Sequence, residues 1–447
     1  VKISVKSLIQ WIKAFWKRIV HRFITQIVKS KFVQNVAMVA SGSTISQGLL
    51  AVSSIILARL YSPGDFGVLA IYMSVVPILT VLATLQYSMA IVLPKDDKES
   101  KVLFGMSIRL SFMISAIVMI VSSLIVVVGS ERVGLKEIPP YLLLIFPVAM
   151  MINALIEIFN YWNIRKKGFK IIAVADVCAA ITTITLSLLF GILKSGWYGL
   201  VLLGKTVNML TQLAYGGRLI VSKESLEISK DKEYSKTTLK HYIEFPKFKL
   251  PQELLNSFSN NLPAIMLVAF FGPSVGGFYA LTRRVVGLPG SLISVAISRV
   301  FYQKSSELHN EGVGLYRTTL KATLILAVVG IIPFGSIMIF GPSLFVLLFG
   351  AEWHTAGIYA IWMSLWVYFA FCNPPSITAI PVLKLQKQQL KISGIGLVVR
   401  ITAIVLGGLL NNPILALALF SVSGTLINLF IITYVLRFAF NVERRSR

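Results

Sequence analysis

Long apolar runs constrain this chain more than any other feature. From about residue 34 onward, stretches of roughly 18 to 27 residues with almost no charge recur, each bounded by charges, proline or glycine. A run of that length and composition satisfies its backbone as a helix across a bilayer, because hydrocarbon offers no partner for an unpaired N–H or C=O. The reading places helices near 34–58, 66–93, 103–128, 141–160, 171–192, 197–217, 252–271, 276–300, 318–341, 356–379, 391–410 and 414–436, twelve in all. With 56% hydrophobic and 14% charged residues over 447 positions, no single soluble core could take up this apolar surface.

A formal net charge of +25 would suggest nucleic acid in a soluble protein, yet no basic domain large enough to bind it lies outside the apolar runs. The distribution of the charge explains it. Of the 43 lysines and arginines, 34 fall in the N-terminus, the C-terminus and the loops on one side, and only Arg59, Arg132, Lys136 and Lys194 fall in the opposite loops. By the positive-inside rule both termini are expected in the cytoplasm, and an even number of spans agrees. Five cations remain inside spans: Arg109, Lys205, Arg283, Arg284 and Arg400.

An internal repeat organises the spans. Setting "LYSPGDFGVLAIYMSVV" (60–76) above "FFGPSVGGFYALTRRVV" (270–286) matches Pro63 with Pro273, Gly67 with Gly277, Ala70 with Ala280, and Val75 and Val76 with Val285 and Val286. Both stretches enter the second helix of a six-helix set from the same side, so the repeat is parallel, with its axis along the membrane normal. The expected fold is therefore all-α integral membrane: twelve transmembrane helices in two six-helix lobes related by a parallel pseudo-two-fold repeat. Residues 33–221 and 251–440 form the lobes and 222–250 a cytoplasmic linker, mostly a solvated face. A basic segment over 1–32 carries Trp11, Phe15, Ile19 and Phe23 at helical spacing, and is read as an amphipathic helix on the cytoplasmic membrane surface or a solvated tail; a basic tail closes the chain over 441–447. The opening segment lacks the continuous apolar core and cleavage site of a signal peptide.

Several motifs carry no chemistry. "GLVLLGKT" (199–206) matches the phosphate-loop pattern, but its variable positions are aliphatic and lie inside a span, where no flexible loop can expose its amides. Cys178 and Cys372 both fall in spans and offer no disulfide framework or metal pair. Four histidines are too scattered for a metal site, and no hydrolase or metalloprotease motif is present. The reading is a transporter without a bound cofactor rather than an enzyme.

An arginine at the bilayer centre costs about 2.5–3.5 kcal/mol on insertion scales, so the five cations need a compensating environment. Arg109, roughly 10 Å from its helix end, can snorkel to the cytoplasmic surface. Lys205, Arg283 and Arg284 lie roughly 10–12 Å below the outer surface, and Arg400 near mid-span. Adjacent helical residues point about 100° apart, so one of Arg283 and Arg284 is expected to face a central cavity while the other pairs with a neighbouring helix. Glu157, Asp176 and Glu253 are the acids within or near spans that could pair with cations; Glu157 and Asp176 are also candidates for binding H+ or Na+. After pairing, a net positive cavity suits an anionic solute, above all a phosphate or pyrophosphate. Pro289, between Gly287 and Gly290, is expected to interrupt its helix beside the arginines, by cavity lining or as a plain structural kink.

Four phrases, "ARLYSPGDFGVLAIYMSVV", "VLPKDDKES", the stretch from "EFPKFKLPQELLNSFSNN" to "ISRVFYQKSSEL", and "LFGAEWHTAG", together resemble the polysaccharide-biosynthesis oligosaccharide flippases of the multidrug/oligosaccharidyl-lipid/polysaccharide exporter superfamily. The likeness runs from about 33 to 440. It implies a bacterial inner-membrane translocase that moves an undecaprenyl-pyrophosphate-linked oligosaccharide, an O-antigen unit or similar, to the periplasmic leaflet by alternating access. A polysaccharide polymerase and chain-length machinery are the partners it suggests besides the lipid-linked substrate and the bilayer. Family members carry lumenal cations, and the arginine pair sits where one is expected. The alternatives are a multidrug cation antiporter on the same architecture, which would favour an acidic cavity, and a membrane polymerase or glycosyltransferase of the same pathway, which would need a larger extramembrane segment.

Overall fold

The computed structural model describes residues 31–129, 139–217, 232–290, 315–383 and 385–445. They are almost wholly helical: α1 (Lys31–Leu60), α2 (Pro63–Ala83), α3 (Tyr87–Ala90), α4 (Asp97–Val128), α5 (Pro140–Arg165) and α6 (Phe169–Ile192). Next comes α7, a π-helical stretch Tyr198–Thr206 that continues as Val207–Gly216, and then α8 (Lys232–His241). A π-helical turn Phe245–Lys249 leads into α9 (Leu250–Phe271), and α10 covers 273–290. The rest are α11 (Tyr316–Phe349), α12 (His354–Cys372), α13 (Pro374–Val382), α14 (Gln386–Leu409) and α15 (Pro413–Arg445). Nine helical segments among the described residues are long and apolar enough to cross a membrane, so the protein is a multi-pass membrane protein.

The side-chain pattern is that of helices packed in lipid. On α4, Met113, Ile117, Ile120, Leu124 and Val127 are exposed at helical spacing, whereas the buried face holds Ser100, Ser107, Ser111, Ser115 and Ser122. In water that arrangement would be inside out. In a bilayer the apolar stripe faces acyl chains, and small hydroxyl residues let the helix approach its neighbours closely. Glycine does the same elsewhere: a Cβ on Gly407 would lie 2.3 Å from the Ala416 backbone, and one on Gly42 2.8 Å from that of Ala173.

The structure corrects several boundaries. The span expected at 66–93 breaks at Thr84–Gln86, where Leu85 and Gln86 take left-handed φ of 46° and 63°. The span expected at 356–379 breaks at Asn373, before Pro374 and Pro375, because neither proline can supply a backbone N–H. α10 is helical through Pro289 to residue 290, where the described stretch ends, so the interruption expected at Pro289 falls at the edge of the described residues; residues 291–314 lie outside them. The linker is not merely solvated: α8 docks beneath α4, with Tyr242 Oη donating to Glu99 Oε2 at 3.3 Å and Tyr87 Oη to the Leu239 carbonyl at 3.4 Å. The N-terminal segment read as amphipathic lies outside the described residues up to residue 30, as do all of residues 218–231.

The helix that matters most for the site starts under tight local control. Ser62 Oγ accepts from the Asp65 N–H at 3.2 Å, and Asp65 Oδ2 accepts from the Ser62 N–H at 3.0 Å, a reciprocal cap with Pro63 in the first turn of α2. This fixes where Phe66, Gly67 and Tyr72 project. Val68, Ile71 and Tyr72 of α2 then form one buried cluster with Val268 of α9 and Val201 of α7.

Candidate functional site: a cation-lined cavity

A cavity of about 450 Å³ lies between α1, α2, α7, α9 and α10. Lys205, Arg283 and Arg284 all line it, together with Asn261, Tyr279 and Phe66. Three cations that sequence depth singled out are thus brought to one wall system, from helices on both sides of the 222–250 linker. The expectation that one of the adjacent arginines faces the cavity while the other pairs with a neighbouring helix is met in part: both line the cavity, and Arg283 also reaches across to α9. Arg283 Nη1 donates to the Asn260 carbonyl at 2.7 Å, and among the described residues its other N–H groups make no further hydrogen bond. Pro263, inside α9, withholds the N–H that the Ser259 carbonyl would otherwise receive, so α9 is loosened beside this anchor.

Lys205 is delivered by the π-helical stretch of α7. A π turn inserts an extra residue into the helix and re-aims its side chains, and such bulges are frequent at functional sites. Here close packing on α6 accompanies it: Gly199 lies against Phe190 and Tyr61, and Gly204 against Ser187. Tyr61 Oη donates to the Ser187 carbonyl at 2.7 Å, and burial, with the Asp65 carboxylate nearby, pushes this phenol up to about 12, so it remains a donor. "GLVLLGKT" is therefore helical in its entirety, and its amides are spent within the helix rather than aimed at a phosphate.

Of the acids expected to pair with cations, Glu253 does so, but with Lys249 rather than with a cation of the cavity. Among the described residues the salt bridges are Arg165 and Lys166 with Asp97, and Lys249 with Glu253, none involving a cavity cation. Glu157 instead accepts from Ser88 Oγ at 2.8 Å, and Asp176 accepts from Gln212 Nε2 at 2.8 Å. Ser88 lies 3.1 Å from Thr84 Oγ1, which puts Glu157 at the end of a buried hydroxyl chain on the α2–α3 break. Sequence reading named Glu157 but not this break.

Arg400 and Arg109 stand apart from the cavity. The Arg400 guanidinium sits 5.2 Å from the Trp366 ring centroid and 5.8 Å from that of Phe420, on a separate small cleft with Pro263 and Ile404. Aromatic faces stabilise a cation there without a carboxylate. Arg109 is exposed on the outer side of α4 beside exposed Phe112 and Met113, which fits snorkelling to the membrane surface. Residues the sequence reading missed are Asn261, Tyr72 and Tyr279. The tyrosines read as ordinary apolar positions, and only their hydroxyls distinguish them; Tyr72 Oη lies 3.3 Å from Thr206 Oγ1 next to Lys205.

The protein is a helical membrane bundle with a cavity lined by three cations. Lipid II flippase MurJ in an inward closed conformation superposes with a TM-score of 0.69 at 14% identity, covering 92% of this chain and 90% of that one. An inward-facing multidrug resistance MATE family transporter of the MOP superfamily gives 0.63 at 14% identity, covering 90% and 96%. Residues 56–357 match the polysaccharide biosynthesis protein family, and the chain belongs to that family. It is 22% identical over 341 residues to the lipopolysaccharide biosynthesis protein WzxC of Escherichia coli (strain K12), covering 73% of this chain and 65% of the relative. The succinoglycan biosynthesis transport protein ExoT of Rhizobium meliloti (strain 1021) matches at the same identity, covering 74% and 65%. The chain thus spans about two thirds of the length of these curated relatives.

Proposed function

We propose that the protein is a flippase, not an enzyme, that moves a polyprenyl-pyrophosphate-linked oligosaccharide, an O-antigen unit or similar, from the cytoplasmic to the periplasmic leaflet of a bacterial inner membrane. The observation that carries this reading is the convergence of Lys205, Arg283 and Arg284 on one cavity, with no carboxylate in ion-pair contact with them among the described residues. Guanidinium forks bind phosphate oxygens bidentately, and a lysine adds a point charge, so the three can hold a pyrophosphate. The polyprenyl tail stays in lipid while the head group and sugar use the hydrated cavity. Family membership, and relatives named for lipopolysaccharide and succinoglycan biosynthesis, favour this cargo over a cationic drug.

In this reading twelve spans form two six-helix lobes, 33–221 and 251–440, both termini face the cytoplasm, and the lobes rock to expose the cavity alternately. Glu157, on its hydroxyl chain, is the group best placed to couple the cycle to H+ or Na+. A polysaccharide polymerase and chain-length machinery act next on the product. The test is direct binding and export. Arg283→Ala/Arg284→Ala should abolish export of surface polysaccharide at equal protein level and abolish binding of a polyprenyl pyrophosphate to purified protein. Full export by the double variant, or tighter binding of a cationic dye than of the lipid pyrophosphate, would overturn the assignment.

A further inference from the structure

Arg59 is one of only four cations in the loops assigned to the outer side, and nothing in cargo binding uses it. It ends α1, and its Nη2 donates to the Leu347 carbonyl at 2.9 Å and its Nε to the Leu348 carbonyl at 3.3 Å. These carbonyls belong to the last turn of α11, where the helix itself supplies no partners. The exchange is mutual. Trp353, just past the end of α11, donates Nε1 to the Ala58 carbonyl in the last turn of α1 at 2.7 Å. Each helix end is thus capped by a side chain from the other.

The Trp353 ring, fully buried, stands edge-on to Phe66 of α2 at 5.0 Å and to Phe278 of α10 at 5.9 Å. Phe66 also lines the cavity, so this cluster lies directly against it. Next to it, α2 and α10 cross on bare backbone. A Cβ on Gly67 would lie 1.8 Å from the Pro273 carbonyl oxygen, and one on Gly277 would lie 1.9 Å from the Pro63 carbonyl oxygen. Gly64 faces Ser274, its Cβ position 3.7 Å from the hydroxyl. These are the residues that the repeat aligns: Pro63 with Pro273, Gly64 with Ser274 and Gly67 with Gly277. Each side offers the other the same surface, as in a two-fold contact.

Such a contact can part without unlocking side chains. Glycine and proline faces have no interlocking side chains to disengage, and the carbonyls and indole N–H at the helix ends can be taken up by water when they separate. We infer that the Arg59–Trp353 double cap and the Gly67–Gly277 crossing form a releasable seal over the outer end of the cavity, shut in this conformation and opened when the cavity faces outward. The inference rests on the transport reading only in requiring that the cavity open to that side.

Its test does not involve the cargo. In a background with Cys178 and Cys372 replaced by alanine, a single Met73→Cys reports on the cavity, which Met73 lines. Whole cells are treated with a membrane-impermeant maleimide and the labelling rate is measured. Trp353→Phe, which keeps an aromatic ring at the site and removes the indole N–H, is expected to raise the rate severalfold together with Arg59→Gln, and Gly67→Leu to raise it at least as much. Unchanged labelling in both variants, with protein that elutes as a single species, would overturn the seal. Should the arginine double variant export normally while labelling still rises, the cargo assignment fails and the seal stands.

Discussion

Gly67 packs its α-carbon against the Pro273 carbonyl so closely that any side chain there would overlap backbone, not a movable side chain. Gly67→Ala and Gly277→Ala are therefore expected to destabilise the closed conformation by about 1–3 kcal/mol each. Both sites belong to one crossing, so the effects should be non-additive in a double-mutant cycle. Thermal stability of purified protein, with and without a lipid pyrophosphate, is the measurement.

Locking the same crossing should stop the cycle. The Cβ position of Gly64 lies 3.7 Å from Ser274 Oγ, so side chains placed at these two positions face each other across the crossing. Gly64→Cys/Ser274→Cys is expected to cross-link on oxidation, to lose export, and to regain it on reduction. Export that continues with a fully formed cross-link would show that this crossing need not open.

The cavity cations should differ from one another in what replaces them. Arg283 is anchored on the Asn260 carbonyl and presents a fork, so Arg283→Lys should lose part of the affinity for a lipid pyrophosphate. Removing one charge-assisted contact costs about 1.5–3 kcal/mol, or roughly 10- to 150-fold in affinity. Lys205→Met is expected to weaken binding and reduce its salt dependence, since Lys205 acts as a point charge. Titration calorimetry at two ionic strengths separates the two effects.

Arg400 provides the internal control. Its guanidinium lies between Trp366 and Phe420, away from the cavity. Arg400→Met fills the same space with an apolar chain and should leave lipid pyrophosphate binding unchanged, with stability equal or raised. Trp366→Ala should lower stability, since it strips an aromatic face from a buried cation.

Glu157→Gln preserves the hydrogen bond from Ser88 and removes the ionisable group. Transport in proteoliposomes should lose its response to an imposed ion gradient, while lipid pyrophosphate binding persists. Ser88→Ala should shift the pH dependence of transport without abolishing it. A gradient response that survives Glu157→Gln would remove this residue from coupling.

Sequence alone determined that the chain lies in a membrane, because apolar runs of bilayer length leave the backbone one way to satisfy itself. It also pointed to the family and to five cations placed within apolar runs, since both follow from residue order. It could not decide which cations meet, because side-chain reach and helix rotation about the cavity come from packing; Arg284 and Lys205 share a wall while Arg400 does not. The break at Leu85–Gln86 carries no glycine or proline signal, and the π stretch over Tyr198–Thr206 looks like ordinary apolar helix, so both had to come from tertiary contacts. Arg59 read as one loop charge among four, and only the approach of two helix ends gave it the carbonyls of Leu347 and Leu348. Local pattern fixes what a segment is; which orphan groups it meets is settled when helices distant in sequence pack together.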